Sequence, residues 1–124
     1  MYGGPWTPPG MRAIYTPAFR SLAVLEILAN YAILPRDFVM TGVRIPYRVK
    51  IEKLPGGLLA PGWQNTPHIT QILGKTWLTK TAVLCVPSAI VPEENNYLIN
   101  PEHKDFRRIE FLAAAPFRFD SRFQ

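Results

Sequence analysis

The sequence has few of the residues on which disulfide frameworks and metal sites depend. Its 124 residues include a single cysteine, Cys85, and two histidines, His68 and His103. One cysteine forms no disulfide within a chain, and neither histidine has a second ligand at the spacing of a zinc site. We therefore expect no bound metal. We interpret Cys85, which lies in the apolar run 82–86, as a buried core residue and not as a nucleophile.

Long apolar runs and phosphate-binding glycine motifs are also absent. No apolar run reaches the about 18 residues that a membrane-spanning helix requires, and the first residues do not resemble a signal peptide. These absences favour a protein of the reducing cytoplasm that does not contact a membrane. The glycine pairs 3–4 and 56–57 fit neither of the common nucleotide-binding fingerprints, and we interpret both as turns.

Acidic residues are fewer than basic ones. The chain has 14 lysines and arginines against 9 aspartates and glutamates, which gives a net charge of +5. This balance favours an anionic partner such as a nucleotide, a nucleic acid or an acidic protein. The basic residues are scattered, however, and the pattern is more typical of a solvated surface than of a nucleic-acid footprint.

The chain is long enough for one domain with a core of its own. The run from Leu22 to Leu34 is apolar except for Glu26 and Asn30, which predicts a central buried helix that ends before Pro35. A second helix is expected over 68–78, and the other apolar or alternating runs predict strands at 13–16, 38–45, 49–54, 81–86, 96–100, 109–112 and 117–120. The expected fold class is α+β, with a small mixed sheet around the buried helix.

Three polar residues at the ends or edges of these elements are candidates for chemistry. Glu26 either belongs to a narrow solvent-facing stripe with Asn30 or points into a cleft. Tyr15 lies on the preceding strand, and Ser88 follows the strongest strand. A catalytic triad of Ser88, His103 and Glu26 is disfavoured because the glycines of a nucleophile elbow are missing. A lone carboxylate with aromatic walls is compatible with cleavage of a glycosidic bond, in which it would stabilise a cationic transition state.

Seven segments resemble, in the same order along the chain, the characteristic segments of the RES domain, a family named after its Arg, Glu and Ser residues. They are YGGPW (2–6), AIYT (13–16), LAVLEIL (22–28), LGKTWL (73–78), VPSAIVP (86–92), NYLINPEH (96–103) and FDSRF (119–123). The resemblance covers nearly the whole chain, and the two segments around and after Ser88 are its most specific part.

The resemblance implies a bacterial toxin of a toxin–antitoxin pair with a fold similar to ADP-ribosyltransferases. Such a protein consumes NAD+ as its substrate, by hydrolysis, phosphorolysis or transfer of ADP-ribose, and it needs no metal. By this resemblance Glu26, Tyr15 and Ser88 would be catalytic, and Tyr2, Trp6 and Asn100 would shape the NAD+ site. The expected partner is an Xre-like antitoxin protein, so that contact with nucleic acid would be only indirect.

Two features depart from the family pattern. Pro5 stands where the family has an arginine in its Tyr-Gly-Gly-Arg-Trp segment, and the RES domain assigned to 1–124 begins after the strand with which the family usually starts. In the family that first strand carries another arginine, and both missing arginines would hold the pyrophosphate of NAD+. The alternative hypothesis is therefore a truncated, catalytically impaired RES homologue that acts only as a binding protein or is a gene remnant.

Overall fold

A four-stranded mixed sheet forms the centre of the molecule, in a computed structural model that describes residues 4–34 and 36–123. Tyr2 and Pro35, on which two of the expectations rest, lie outside the described residues. The sheet has the order β1-β6-β5-β4, and its strands are Ile14–Pro17 (β1), Ile51–Lys53 (β4), Val83–Pro87 (β5) and Asn95–Ile99 (β6). β6 is antiparallel to both β1 and β5, whereas β4 runs parallel to β5.

Two short ribbons and two helices complete the fold. The ribbons pair β2 (Phe38–Met40) with β8 (Ala115–Phe117) and β3 (Val43–Arg44) with β7 (Glu110–Phe111). The helices are α1 (Arg20–Asn30) and α2 (Pro67–Leu78), and short 3-10 turns cover Gly56–Leu58, Trp63–Asn65, Lys104–Arg108 and Ser121–Phe123. This combination confirms the expected fold class, a single α+β domain with a small mixed sheet.

The two faces of the sheet are both buried, as the lack of alternation in the run 81–86 predicts. Leu84 and Leu98 are cross-strand partners in one core cluster, which also contains Leu78 of α2. Val83 and Ile99 are partners in a second cluster on the opposite face. Because successive strand residues alternate between faces, odd and even positions of β5 and β6 build separate cores.

The first helix is shorter and less buried than its composition predicts. It ends at Asn30, whose side-chain amide donates to the carbonyl of Glu26, and Tyr31 takes extended backbone angles. Within the helix only Leu22 is fully buried, and Ile33, beyond the helix end, is 85% exposed. The expected central buried helix over 22–34 is therefore wrong in its extent and its burial: α1 spans Arg20–Asn30, contacts the edge strand β1 and buries only Leu22 fully.

The remaining strand predictions hold with changed boundaries. The run 38–45, expected as one strand, is divided into β2 and β3, and these two segments pair with different partners. The last strand is found at Ala115–Phe117, not at 117–120, because it pairs in register with β2. Tertiary pairing decides such short strands more than their own sequence does.

The N-terminal loop is fastened onto α2. Thr70 donates its hydroxyl to the Pro5 carbonyl, and Gln71 Nε2 donates to the Gly4 carbonyl at 2.9 Å. Gly74 of the same helix allows the loop to approach closely, since an added Cβ would lie 1.7 Å from the Trp6 carbonyl oxygen. Trp6 is consequently only 1% exposed and packs against Trp63.

We predict that Gly74→Ala destabilises the protein by pushing this loop away from α2. Overpacking of this kind costs about 1–3 kcal/mol, to be measured as a change in the free energy of unfolding in urea. Gly57→Ala is the matched control, because an added Cβ there meets no atom within 4 Å. Equal stabilities of the two variants would contradict the close approach.

Candidate active site

Glu26, half-buried on α1, is the carboxylate on which the candidate site is centred. Two side chains donate hydrogen bonds to the same oxygen, Oε2: Ser88 Oγ at 2.8 Å and Asn96 Nδ2 at 2.6 Å. No described residue donates to Oε1 within hydrogen-bond distance. The structure thus places Glu26 in a cleft and excludes the alternative of a purely solvent-facing stripe.

Ser88 lies just beyond β5, and its hydroxyl is fully used. Its oxygen accepts the backbone N–H groups of Ile90 and Val91, each at 3.1 Å, and its hydrogen goes to Glu26. A hydroxyl oxygen has two lone pairs, so both are occupied. Ser88 is therefore built to hold Glu26 and has no free lone pair with which to act as a nucleophile.

Asn96 is a site residue to which the sequence interpretation gave no role. It lies at the start of β6, paired with Pro17 of β1 on one side and Val86 of β5 on the other. Its side chain is 4% exposed and shares the face of Leu98. The signal in the sequence was an asparagine two positions before Leu98, and so on the same face of a largely apolar strand, where a polar side chain needs a partner.

Tyr15 connects this site to the N-terminal loop. Its hydroxyl oxygen accepts the Trp6 backbone N–H at 3.0 Å and shares a hydrogen bond of 2.9 Å with the Thr7 hydroxyl. Burial raises the pKa of the Tyr15 phenol above its usual value of 10.0, so the ring is neutral at physiological pH. With its hydroxyl engaged, Tyr15 contributes the ring to the wall of the site.

A cavity of about 350 Å³ lies in front of Glu26. This volume is in the range of small-molecule sites. The cavity is lined by Gly4, Pro5, Trp6, Thr7, Met11, Ala13, Tyr15, Glu26, Asn30, Ala89, Ile90 and Asn96. Glu26 is the one ionisable carboxylate among these described lining residues, and none of them is lysine or arginine. A second cavity of about 710 Å³ shares Tyr15 and is lined by Arg20 at the start of α1.

Of the residues expected to shape the NAD+ site, Trp6 borders the cavity and Asn100 does not. Trp6 borders the cavity but is almost wholly buried in the core. Asn100 does not line the cavity: its Nδ2 donates to the carbonyls of Leu78 and Thr81, and its Oδ1 accepts the Glu102 N–H. Asn100 thus fastens the end of α2 to the end of β6, while Tyr2 lies outside the described residues.

Within residues 4–34 and 36–123, histidine, cysteine, aspartate and glutamate side chains form no group of three or more that is suited to a metal ion. Over the same ranges, neither helix is both long and apolar enough to cross a membrane. The described residues bring together at the cavity one fixed carboxylate, two neutral donors and an aromatic wall. Such an arrangement stabilises positive charge that develops on a bound ligand.

Comparison with known proteins assigns the family. The sequence model of the RES domain matches residues 1–120, which include Tyr15, Glu26, Ser88 and Asn96.

The chain belongs to the RES family. It is 34% identical over 128 residues to the Prs ADP-ribosylating toxin of a Sphingobium strain, covering 97% of this chain and 80% of that protein. It is 38% identical over 130 residues to Toxin Res of Photorhabdus laumondii, covering 98% and 82%. With Toxin Res of Pseudomonas putida the identity is 37% over 106 residues, covering 81% and 72%.

These matches confirm the resemblance found in the sequence segments of this RES protein. The relatives carry the name of toxins, and one is named for ADP-ribosylation. The cavity in front of Glu26 is thus found in a chain that is related over nearly its whole length to toxins.

We predict a pH-dependent contribution of Tyr15 to stability. Because its pKa is raised in the folded state, folding favours the protonated phenol. That stabilisation is fully present below the unfolded-state pKa of about 10 and is lost as the pH rises through the folded-state pKa. Between about pH 9 and about pH 11, the free energy of unfolding of Tyr15→Phe should therefore fall less than that of the native protein.

The measurement is urea denaturation of the native protein and Tyr15→Phe across this pH range. At neutral pH the variant should also lose about 1–3 kcal/mol, because the Trp6 N–H loses its acceptor. The free energy of unfolding still depends on pH in both proteins, because burial also raises the pKa of Cys85 and of Tyr97. Tyr47→Phe, at a fully exposed tyrosine, is the control. Parallel pH profiles for native protein and Tyr15→Phe would refute the prediction.

Proposed function

We propose that this RES protein cleaves the bond between nicotinamide and ribose in NAD+ and passes the ADP-ribosyl group to an acceptor. The observation that carries the proposal is the Glu26 carboxylate, fixed at Oε2 by Ser88 and Asn96 at the wall of a small-molecule cavity. The name of the Sphingobium relative, an ADP-ribosylating toxin, supports the same class of reaction.

The chemistry requires stabilisation of a cation. When the glycosidic bond breaks, its electron pair leaves with the nicotinamide nitrogen, and the ribose carbon becomes part of an oxocarbenium ion. A carboxylate held in place beforehand stabilises that charge without reorganising during the reaction. An acceptor nucleophile then attacks the ribose carbon and loses its proton. Glu26 supplies the negative charge, and the Tyr15 ring supplies a flat wall for the nicotinamide.

The walls of the cavity favour the nicotinamide riboside end of the substrate. The described lining residues include apolar side chains, neutral polar groups and one carboxylate, with no lysine or arginine. Pro5, where the family has an arginine, is exposed and contributes its carbonyl to Thr70. The pyrophosphate would therefore receive no ion pair from these walls, which supports weak NAD+ binding and a high KM.

A catalytically impaired, binding-only protein is the second candidate function. The missing ion pair favours it because that loss would impair turnover while the cavity still contacts the nicotinamide riboside end. Such a protein would retain NAD+ binding while releasing no nicotinamide. The two candidates are separated by measuring binding and turnover on one preparation.

An Xre-like antitoxin partner and a cytoplasmic location remain predictions from the family. Co-expression of the tagged chain with an Xre-like protein, followed by purification of the chain, tests the partner. A stoichiometric complex supports the prediction, and recovery of the chain alone contradicts it.

We predict that Glu26→Gln lowers the rate of nicotinamide release about 100- to 1,000-fold, because it removes the charge that stabilises the oxocarbenium ion. Purified protein is incubated with NAD+, and free nicotinamide is quantified by chromatography. Glu93→Gln, the same change at an exposed glutamate outside the cavity lining, is the matched control and should retain native activity. Equal rates for Glu26→Gln and native protein would refute the proposed role.

Ser88→Ala should be less harmful than Glu26→Gln. It removes one of two donors to Glu26 but leaves the charge and Asn96 in place, so we expect a loss of about 10- to 100-fold, as for one charge-assisted hydrogen bond. The same nicotinamide assay measures it, with circular dichroism as a check on folding. A nucleophilic serine would behave differently, and complete loss of activity in a folded Ser88→Ala protein would contradict a purely hydrogen-bonding role.

A further inference from the structure

We propose that Asn96 is the principal positioning residue of the site: it fixes Oε2 of Glu26 and so leaves Oε1 as the oxygen available to the ligand. The inference deepens the proposed function and rests on it for its catalytic part. The contact itself, between Asn96 Nδ2 and Glu26 Oε2, is 2.6 Å long. It joins residues that are 70 positions apart in the chain.

The orientation of the Asn96 amide follows from the chemistry of its partner. A carboxylate only accepts hydrogen bonds, so the amide nitrogen must face Glu26 and Oδ1 must face away. Oδ1 is buried there and has no hydrogen-bond partner among the described residues. Leaving a buried acceptor unpaired is unfavourable. The side chain is therefore held in this orientation by what its nitrogen does for Glu26.

The backbone of Asn96 makes it the more rigid of the two donors. Its strand, β6, lies between β1 and β5 and is paired on both sides. Ser88 instead begins the connection between β5 and β6, where its position depends on the turn formed by residues 88–94. Groups placed on a central strand are held more precisely in space than groups on a connection. Asn96 thus defines where Oε2 lies, and Ser88 completes the contact.

The neutral charge of Asn96 suits the proposed reaction. A lysine or arginine in its place would also hold the carboxylate, but it would neutralise the charge that the oxocarbenium ion needs. Asparagine supplies an N–H donor and adds no net charge. Glu26 is therefore fixed by two neutral donors, Ser88 and Asn96, and keeps its negative charge for the ligand.

The direct test exchanges the amide and the carboxylate. Asn96→Asp places two carboxylates within hydrogen-bond distance, and their repulsion should lower the urea midpoint of unfolding. The double change Glu26→Gln with Asn96→Asp restores an amide facing a carboxylate, so the midpoint should return toward that of Glu26→Gln alone. Nicotinamide release should stay low in the double variant, because the charge is no longer on α1.

Asn95→Asp is the matched control, since it makes the same chemical change one residue earlier in β6, on the opposite face. Its effect on the urea midpoint should be the same with and without Glu26→Gln. If Asn96→Asp also destabilises both backgrounds equally, the contact with Glu26 carries no coupling and the inference is overturned.

A second measurement applies where a variant does not fold. In the proton NMR spectrum of the native protein, the carboxylate should shift the side-chain amide protons of Asn96 downfield. The change Glu26→Ala should return these resonances upfield. Unchanged resonances would overturn the inference. Both measurements are independent of turnover. A native protein that releases no nicotinamide would therefore refute the proposed function, but it would not decide whether Asn96 is coupled to Glu26.

The variant Asn96→Ala tests whether Asn96 contributes to catalysis by positioning Glu26. A residue that positions Glu26 and does not bind the substrate should affect kcat and leave KM within about twofold, with kcat lowered about 10- to 100-fold. A raised KM with unchanged kcat would mean that Asn96 binds the substrate instead, and this result would overturn its assignment as a positioning residue.

Discussion

The two hydrogen bonds to Oε2 of Glu26 are the interaction on which the rest of the site depends. A half-buried carboxylate in an apolar surrounding is unfavourable unless donors compensate for lost hydration. Ser88 and Asn96 supply them from elements that are 62 and 70 residues away in sequence. To bring them there, β5 and β6 must pair in the observed register, and α1 must lie where Glu26 reaches both donors. The central sheet and the site are therefore specified by the same contacts.

The opposite wall of the cavity depends on the N-terminal loop. Tyr15 is held by Trp6 and Thr7 of the loop, and the loop is held by Thr70 and Gln71 of α2. Gly74 makes the approach of loop and helix sterically feasible. A chain of packed and hydrogen-bonded groups thus runs from α2 to the cavity, so a change at the helix surface that faces the loop reaches the aromatic wall in front of Glu26.

Much of this architecture follows from patterns in the sequence. The apolar run that becomes β5, the second helix and the position of Glu26 on a helix beside a strand end are each encoded locally. The extent of α1 does not follow from its apolar pattern, because the apolar run continues to Leu34 whereas the helix ends at Asn30. The division of 38–45 into β2 and β3 also depends on partners far along the chain.

The candidate site shows the same division between local and long-range information. Family resemblance identifies Tyr15, Glu26 and Ser88. In the structure Tyr15 and Glu26 line one cavity, and Ser88 donates a hydrogen bond to Glu26. Asn96 lies within a segment that carries the resemblance, yet its contact with Glu26 emerges only when β6 is paired. Asn100, from the same segment, binds backbone carbonyls at the end of α2 instead. Sequence spacing does not separate these two roles.

The most direct measurement is a crystal structure of the native protein with an NAD+ analogue that resists cleavage. We predict that the nicotinamide-bearing ribose lies next to Oε1 of Glu26, with the nicotinamide against Tyr15. Ser88 and Asn96 should still donate to Oε2, as in the distances of 2.8 Å and 2.6 Å found here. An analogue bound away from Glu26, or a Glu26 side chain released from both donors in the complex, would contradict the central claim.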